Sequence, residues 1–330
     1  MERSIVLQMF FLLIALAAEA QPPIETRALT AIENLTVVDA YEGEQGYYLF
    51  CPSVRPVQAT VPIVFVHGYG ALNPMIYGKW IRHLTEHGHC VIYPRYQEDL
   101  FKTSPHDFTT NAVAAIAEAL TRIKEADIGS DTDGLYLVGH SYGGVIIANL
   151  AANWRALHLP EPRVAFLCEP GSGPFKGGVL DSYHTIDSTL HMAIMVGDND
   201  ETVGQEFGSM VFESAVNTPN RVLLWQYACT QDTFSVSASH YEPYAIDVAF
   251  DNGIENFTSR KALRVAQLDH IDTEGYWKVF DMLIAKDASR DVSRFASHLL
   301  NKFINLGVWP DGTELCKMGF QCPVQPEAGK

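Results

Sequence analysis

The chain has 330 residues, 47% of them hydrophobic and 19% charged, with a formal net charge of −16. That is ordinary globular composition, long enough to bury a large core as one large α/β domain or two small ones. The acidic balance favours solubility and argues against nucleic acid or anionic membranes as partners.

In chain order, the first segment reads as a secretory signal. Arg3 supplies a positive start, residues 5–18 are almost wholly apolar, and Ala18 and Ala20 are the small residues a signal peptidase reads. The mature chain is then expected to begin near Gln21, extracellular or periplasmic. The rival reading, a membrane anchor, is disfavoured because the apolar run falls short of the roughly 20 residues a bilayer requires. No later stretch is long enough to span one.

From Gly46 onward, short apolar runs alternate with helical patterns. Strands are predicted over residues 47–51 and 63–66, a helix over 76–86, a strand over 90–93, and an Ala-rich helix over 111–123. A strand over 135–138 leads into a helix over 142–154, and three more strands cover 164–168, 192–196 and 222–227. Such alternation implies βαβ units, a parallel sheet and right-handed crossovers. Residues 244–330 then form a helical C-terminal extension to a core of about 46–243, with helical segments around 261–268, 276–285 and 292–303. The extension packs around an edge of the core or near the site mouth.

Six cysteines follow the signal. Cys90, Cys168 and Cys229 lie in apolar strand-like runs, where a buried free thiol is the plain reading. Cys316 and Cys322 flank a Gly-containing loop and are the expected disulfide pair. No cysteine or histidine cluster has zinc spacing. Asn34-Leu-Thr36 and Asn256-Phe-Thr258 fit the N-glycosylation pattern.

The strongest chemical signal is Gly139-His140-Ser141-Tyr142-Gly143, set between a predicted strand and a predicted helix. A sharp turn there strains the serine backbone and leaves its hydroxyl at the helix N-terminus, the arrangement of a nucleophile elbow. The plain alternative is a Gly-rich turn with a capping serine. Ser141 alone is a weak nucleophile and needs a base held by a carboxylate. Asp200, in the loop after the strand at 192–196, is the expected acid, with Asp198, Glu201 and Glu169 as rivals. His240, in the loop after the strand at 222–227, is the expected base, with His270 as its rival. The oxyanion hole takes two backbone N–H groups. They are assigned to Tyr142, which follows the serine, and Tyr69, in the His67-Gly68-Tyr69-Gly70 turn after an early strand.

These motifs together resemble the α/β-hydrolase superfamily over roughly residues 47–243, and within it secreted esterases and lipases, including the cutinase-like and polyester-hydrolase group. The resemblance implies an α/β-hydrolase fold, a mostly parallel sheet flanked by helices, and a secreted serine hydrolase acting on small-molecule or lipid esters. The elbow carries Tyr142 where that group has Met, and Glu169-Pro170-Gly171 stands where a Trp is usual, which counts against polyester substrates. The implied chemistry is acyl transfer with Ser141, His240 and Asp200 as the triad, and no metal or organic cofactor. Acyl transfer to an alcohol and amide hydrolysis are alternatives on the same triad. A hydrolase fold retained only for binding is disfavoured because all three positions are occupied.

Overall fold

The structure is a computed structural model that describes residue 29 and residues 31–323, apart from 102–103, 176, 232–233, 292–293 and 310. The expected signal segment and cleavage point lie outside the described residues.

The first half of the chain forms β1 (Leu35–Ala40), β2 (Tyr47–Pro52), β3 (Ile63–Val66), α1 (Gly78–Glu86), β4 (Val91–Pro94), α2 (Phe108–Ala126), β5 (Gly134–His140) and α3 (Tyr142–Asn153). It continues as β6 (Glu161–Cys168), β7 (His191–Gly197), α4 (Glu206–Ser214), β8 (Arg221–Gln226), and a small hairpin of β9 (Cys229–Gln231) and β10 (Phe234–Val236). Last come α5 (Phe257–Val265), α6 (Lys278–Ala288), α7 (Ser297–Ile304) and β11 (Gly319–Gln321).

Nine strands make one sheet in the order β1-β2-β4-β3-β5-β6-β7-β8-β11. The run from β4 through β8 is parallel, and antiparallel pairs close both edges, β1 and β2 on one side and β11 on the other. The expected mostly parallel sheet is therefore present. Successive strand side chains point to opposite faces, so each buried strand feeds two cores. Phe65, Val138 and Phe166 join Trp80 of α1, Phe280 of α6 and Phe303 of α7. Val64, Leu137 and Leu167 join Ile116 of α2, Ile147 of α3 and Val211 of α4 on the other face. Each fully buried apolar side chain of this size contributes about 1.5–3 kcal/mol, which is why the strands tolerate no polar alternation. Among the described residues, no helix is long and apolar enough to cross a membrane.

Helix boundaries differ from the sequence pattern in instructive ways. The helix predicted over 76–86 begins as a 3₁₀ turn, Pro74–Tyr77, capped by the Asn73 side chain, before α1 proper. The segment expected over 276–285 opens with a π-helical turn, Ile271–Trp277, and continues as α6. The segment expected around 261–268 starts earlier, at Phe257, because Asn256 and Ser259 form a reciprocal capping box.

The disulfides correct the expected pairing. Cys316 bonds to Cys229 and not to Cys322, and Cys51 bonds to Cys90. The sheet register explains both. Phe50 pairs with Val91 in the antiparallel β2–β4 ladder, so Cys51 and Cys90 are the next cross-strand neighbours. β11 pairs with β8 through Gly319 and Trp225. Followed backward, that register carries Cys316 past the end of β8 to Ala228, next to Cys229, while Cys322 continues to the opposite end of the strand. Cys168 is a buried free thiol, as expected, whereas Cys90 and Cys229, expected to be free, are both disulfide-bonded, and Cys322 is free and half-buried.

Candidate active site

The turn at the end of β5 is built for one side chain. Ser141 adopts φ 56° and ψ −122°, a left-handed backbone that a non-glycine residue occupies only under constraint. Its neighbours must be glycine. A β-carbon on Gly143 would sit 2.0 Å from the Val66 carbonyl oxygen, and one on Gly139 would sit 2.4 Å from the Gly143 carbonyl oxygen. The strand–turn–helix unit therefore closes only without side chains there, and it leaves the Ser141 hydroxyl at the N-terminus of α3.

Ser141, His240 and Asp200 come together across the carboxyl edge of the sheet. His240 Nδ1 lies 2.8 Å from Asp200 Oδ2, and His240 Nε2 lies 2.9 Å from Ser141 Oγ. A carboxylate can only accept, so Nδ1–H donates to Asp200 and the Nε2 lone pair faces the serine hydroxyl. The other Asp200 oxygen accepts from the Thr202 and Val203 N–H groups. Burial pushes the Asp200 carboxyl up, but the hydrogen bond and charge of His240 and those two amides outweigh it and hold the group below its usual range.

The rivals lie elsewhere. His270 is exposed, at the start of the π-helical turn. Asp198 is exposed and accepts from Ala228 N–H, and Glu201 is exposed. Glu169 is fully buried, and its Oε1 accepts from the Tyr276 hydroxyl at 2.7 Å. Burial raises its carboxyl well above the usual range, the Tyr276 hydrogen bond opposing only in part. Glu169 thus lies in the core hydrogen-bonded to Tyr276 and not to His240.

Tyr69 and Tyr142, the expected oxyanion donors, line the same cavity as Ser141. Tyr142 holds the first position of α3, where a helix supplies no backbone partner. In the loop after β3, Gly68 N–H donates to the Tyr77 hydroxyl and Gly70 N–H donates to Gln97 Oε1. The Tyr69 N–H between them has no partner among the described residues. The carbonyls of the same loop are held from the other side. Asn256 Nδ2 donates to Gly70 O at 2.7 Å and Thr258 Oγ1 donates to Tyr69 O at 3.4 Å. The start of α5 is therefore docked on this loop. The approach is close enough that a Gly70 β-carbon would lie 2.5 Å from Thr258 Oγ1.

Sequence reasoning missed the element that joins this loop to the histidine loop. His140 is fully buried, and burial holds its imidazole well below the usual range, so it is neutral. Its Nε2 lies 2.8 Å from the His240 carbonyl oxygen, which can only accept, so Nε2 carries the proton. Nδ1 must then accept, and the Tyr77 hydroxyl donates to it at 2.8 Å. A single ordered chain thus runs from Gly68 N–H through Tyr77 and His140 to His240. His140 stood inside the elbow motif, but nothing in the sequence named its partners.

These groups face a cavity of about 290 Å3 whose lining includes Tyr69, Tyr142, Phe175, Tyr241, Tyr244 and Phe257 beside Ser141 and His240. The Tyr69 and Phe175 rings lie 4.1 Å apart and form one wall. Lys261 is the one basic side chain among the lining residues apart from the histidines, and it sits over the Tyr241 ring at 4.9 Å. Chemically, the arrangement pairs a hydroxyl with an imidazole and a buried carboxylate beside a largely apolar cavity.

Comparison with known proteins bears directly on this geometry. No curated protein matches the sequence. The model of the alpha/beta hydrolase family matches residues 63–303. That span covers β3 through α7, and the chain belongs to the α/β-hydrolase family.

Proposed function

We propose that this α/β hydrolase cleaves carboxylic esters through an acyl-enzyme, with Ser141 as nucleophile, His240 as base and Asp200 as the orienting acid. The observation that carries this reading is the unbroken relay from Ser141 Oγ to His240 to Asp200, at 2.9 and 2.8 Å. His240 Nε2 takes the hydroxyl proton as Ser141 Oγ bonds to the ester carbonyl carbon. The negative charge gathers on the carbonyl oxygen, where the Tyr69 and Tyr142 N–H groups stabilise it. Collapse expels the alcohol, which takes the proton from His240. Water then repeats the sequence and releases the acid.

The aromatic, largely uncharged cavity suits a neutral ester whose acyl chain is compact. Two disulfides fit an oxidising compartment and, with the signal-like N-terminus, support a secreted esterase or lipase akin to the cutinase-like group.

The test is hydrolysis of a p-nitrophenyl ester series from short to long acyl chains, with a fluorophosphonate probe run alongside. Wild type should turn over the short esters best and take up the probe. Ser141→Ala should lose about 10⁴-fold or more in kcat/KM and all labelling. His240→Ala should fall comparably, while His270→Ala should stay within twofold of wild type. Labelling that persists in Ser141→Ala would place the nucleophile elsewhere.

A further inference from the structure

The last turn of α1 meets the first turn of α6. His83 and His87, four residues apart, fall on one side of α1, and Asp281 faces them from α6. One nitrogen from each imidazole and one Asp281 oxygen lie within 4.8 Å of one another. His83 Nε2 is 2.8 Å from Asp281 Oδ2, and the two imidazole rings are 4.3 Å apart.

We propose that His83, His87 and Asp281 form a binding site for a divalent transition metal, zinc by preference, that fastens α6 to α1.

The donor chemistry selects the ion. Two imidazoles and one carboxylate are the ligands of borderline-soft divalent ions, whereas calcium and magnesium call for oxygen donors throughout. Around a tetrahedral zinc, ligand atoms stand about 3.3 Å apart. Reaching that from the present spacing, within 4.8 Å, requires the three side chains to close in by about 1.5 Å at most. The fourth position would be open to water.

Three further features point to a cation. His87 Nδ1 lies 2.7 Å from the His83 carbonyl oxygen, so Nδ1 carries the proton and Nε2 is the nitrogen left to serve as a ligand. That is the hydrogen bond by which a metal-binding histidine is usually oriented. His87 is also the C-cap of α1, where the helix dipole is negative and attracts positive charge. Finally, the Trp277 ring packs 4.9 Å from the His83 ring, restricting its rotation. Metal binding moves the His83 Nε2 proton to Nδ1 and exchanges the His83–Asp281 hydrogen bond for two bonds to the ion. The ion would then join α1, which belongs to the first half of the chain, to α6, which comes after the histidine loop.

The experiment is calorimetric titration of zinc chloride into EDTA-washed full-length protein, with thermal unfolding and ester turnover measured in parallel. Wild type should bind one equivalent saturably. Its Tm should rise by roughly 3–6 °C at a zinc concentration a hundredfold above Kd, with turnover unchanged. His87→Ala, on the exposed end of α1, and Asp281→Asn should each weaken binding at least tenfold and abolish the Tm rise. Both should keep the wild-type circular dichroism spectrum and turnover. Magnesium chloride should produce no effect. Absence of saturable binding in wild type would overturn the proposal. So would undiminished binding in both variants, or zinc inhibition of turnover that survives in both, since the ion would then sit at the triad.

Discussion

The relay from Gly68 through Tyr77 and His140 to His240 makes a sharp prediction for Tyr77→Phe. The Tyr77 ring packs against Phe65 at 5.0 Å and Tyr244 at 5.6 Å, and phenylalanine preserves both contacts. What is lost is one hydroxyl with two partners, the Gly68 N–H at 3.1 Å and His140 Nδ1 at 2.8 Å. Both partners are buried, and leaving a buried polar group unpaired costs about 1–3 kcal/mol. With partial relaxation the pair should cost about 2–4 kcal/mol, which for a chain of this size lowers Tm by roughly 3–6 °C. Turnover should fall as well, because the Gly68 amide is the brace next to the Tyr69 donor. Removing an oxyanion donor outright costs about 10²–10³ in kcat, so displacing one should cost roughly 10- to 100-fold, with KM little changed. Thermal unfolding and steady-state ester hydrolysis decide it. A variant within 1–2 °C of the wild-type Tm and with unaltered kcat would show that the hydroxyl chain holds nothing in place.

Two further changes test the acids. Asp200→Asn should reduce kcat/KM by about 10⁴, because an amide leaves His240 in the wrong tautomer, whereas Glu169→Gln should cost less than tenfold, since Glu169 is bonded to Tyr276 and His240 to Asp200. The reverse ranking would move the acid to the end of β6. Asp272→Asn addresses stability. Burial, with the Asp269 and Glu242 charges adding to it and the Asp269 amide opposing, pushes the Asp272 carboxyl up to about 8. The folded chain therefore holds a proton that the unfolded chain has released, and stability drops as pH rises from the ordinary carboxylate range through 8. The Tm of Asp272→Asn relative to wild type should thus increase between about pH 5 and pH 9, and a constant difference across that range would contradict the assignment.

How much of this was legible depended on distance along the chain. The β5–α3 elbow reads directly, because strand, glycines and helix lie within a few residues of Ser141. Asp200 and His240 are readable once the alternation fixes which loops emerge at the same sheet edge. Sequence periodicity does not supply cross-strand register. That is why Cys316 was matched to its neighbour in sequence and not to Cys229, and why β11, three residues long, went unseen. Asn256 shows a different limit. Its Asn-x-Thr pattern reads as a glycosylation acceptor, yet its side chain caps α5 and holds the Gly70 carbonyl. Asn34, exposed in a turn, carries no such duty.

The Cys229–Cys316 bridge has a consequence for how the molecule withstands proteolysis. It closes a covalent ring that contains His240 and helices α5, α6 and α7, while Ser141 and Asp200 lie outside. One cut inside the ring leaves both fragments joined through sulfur, so the base-bearing loop and the edge strand β11 stay tethered to the sheet. A cut between Asp200 and Cys229 has no such safeguard, since neither disulfide spans it. There only packing and hydrogen bonds hold the serine-bearing part of the chain to the histidine-bearing part. Resistance to nicking is thus concentrated in the C-terminal third, the part of the chain that sequence pattern alone reads as an extension to the core.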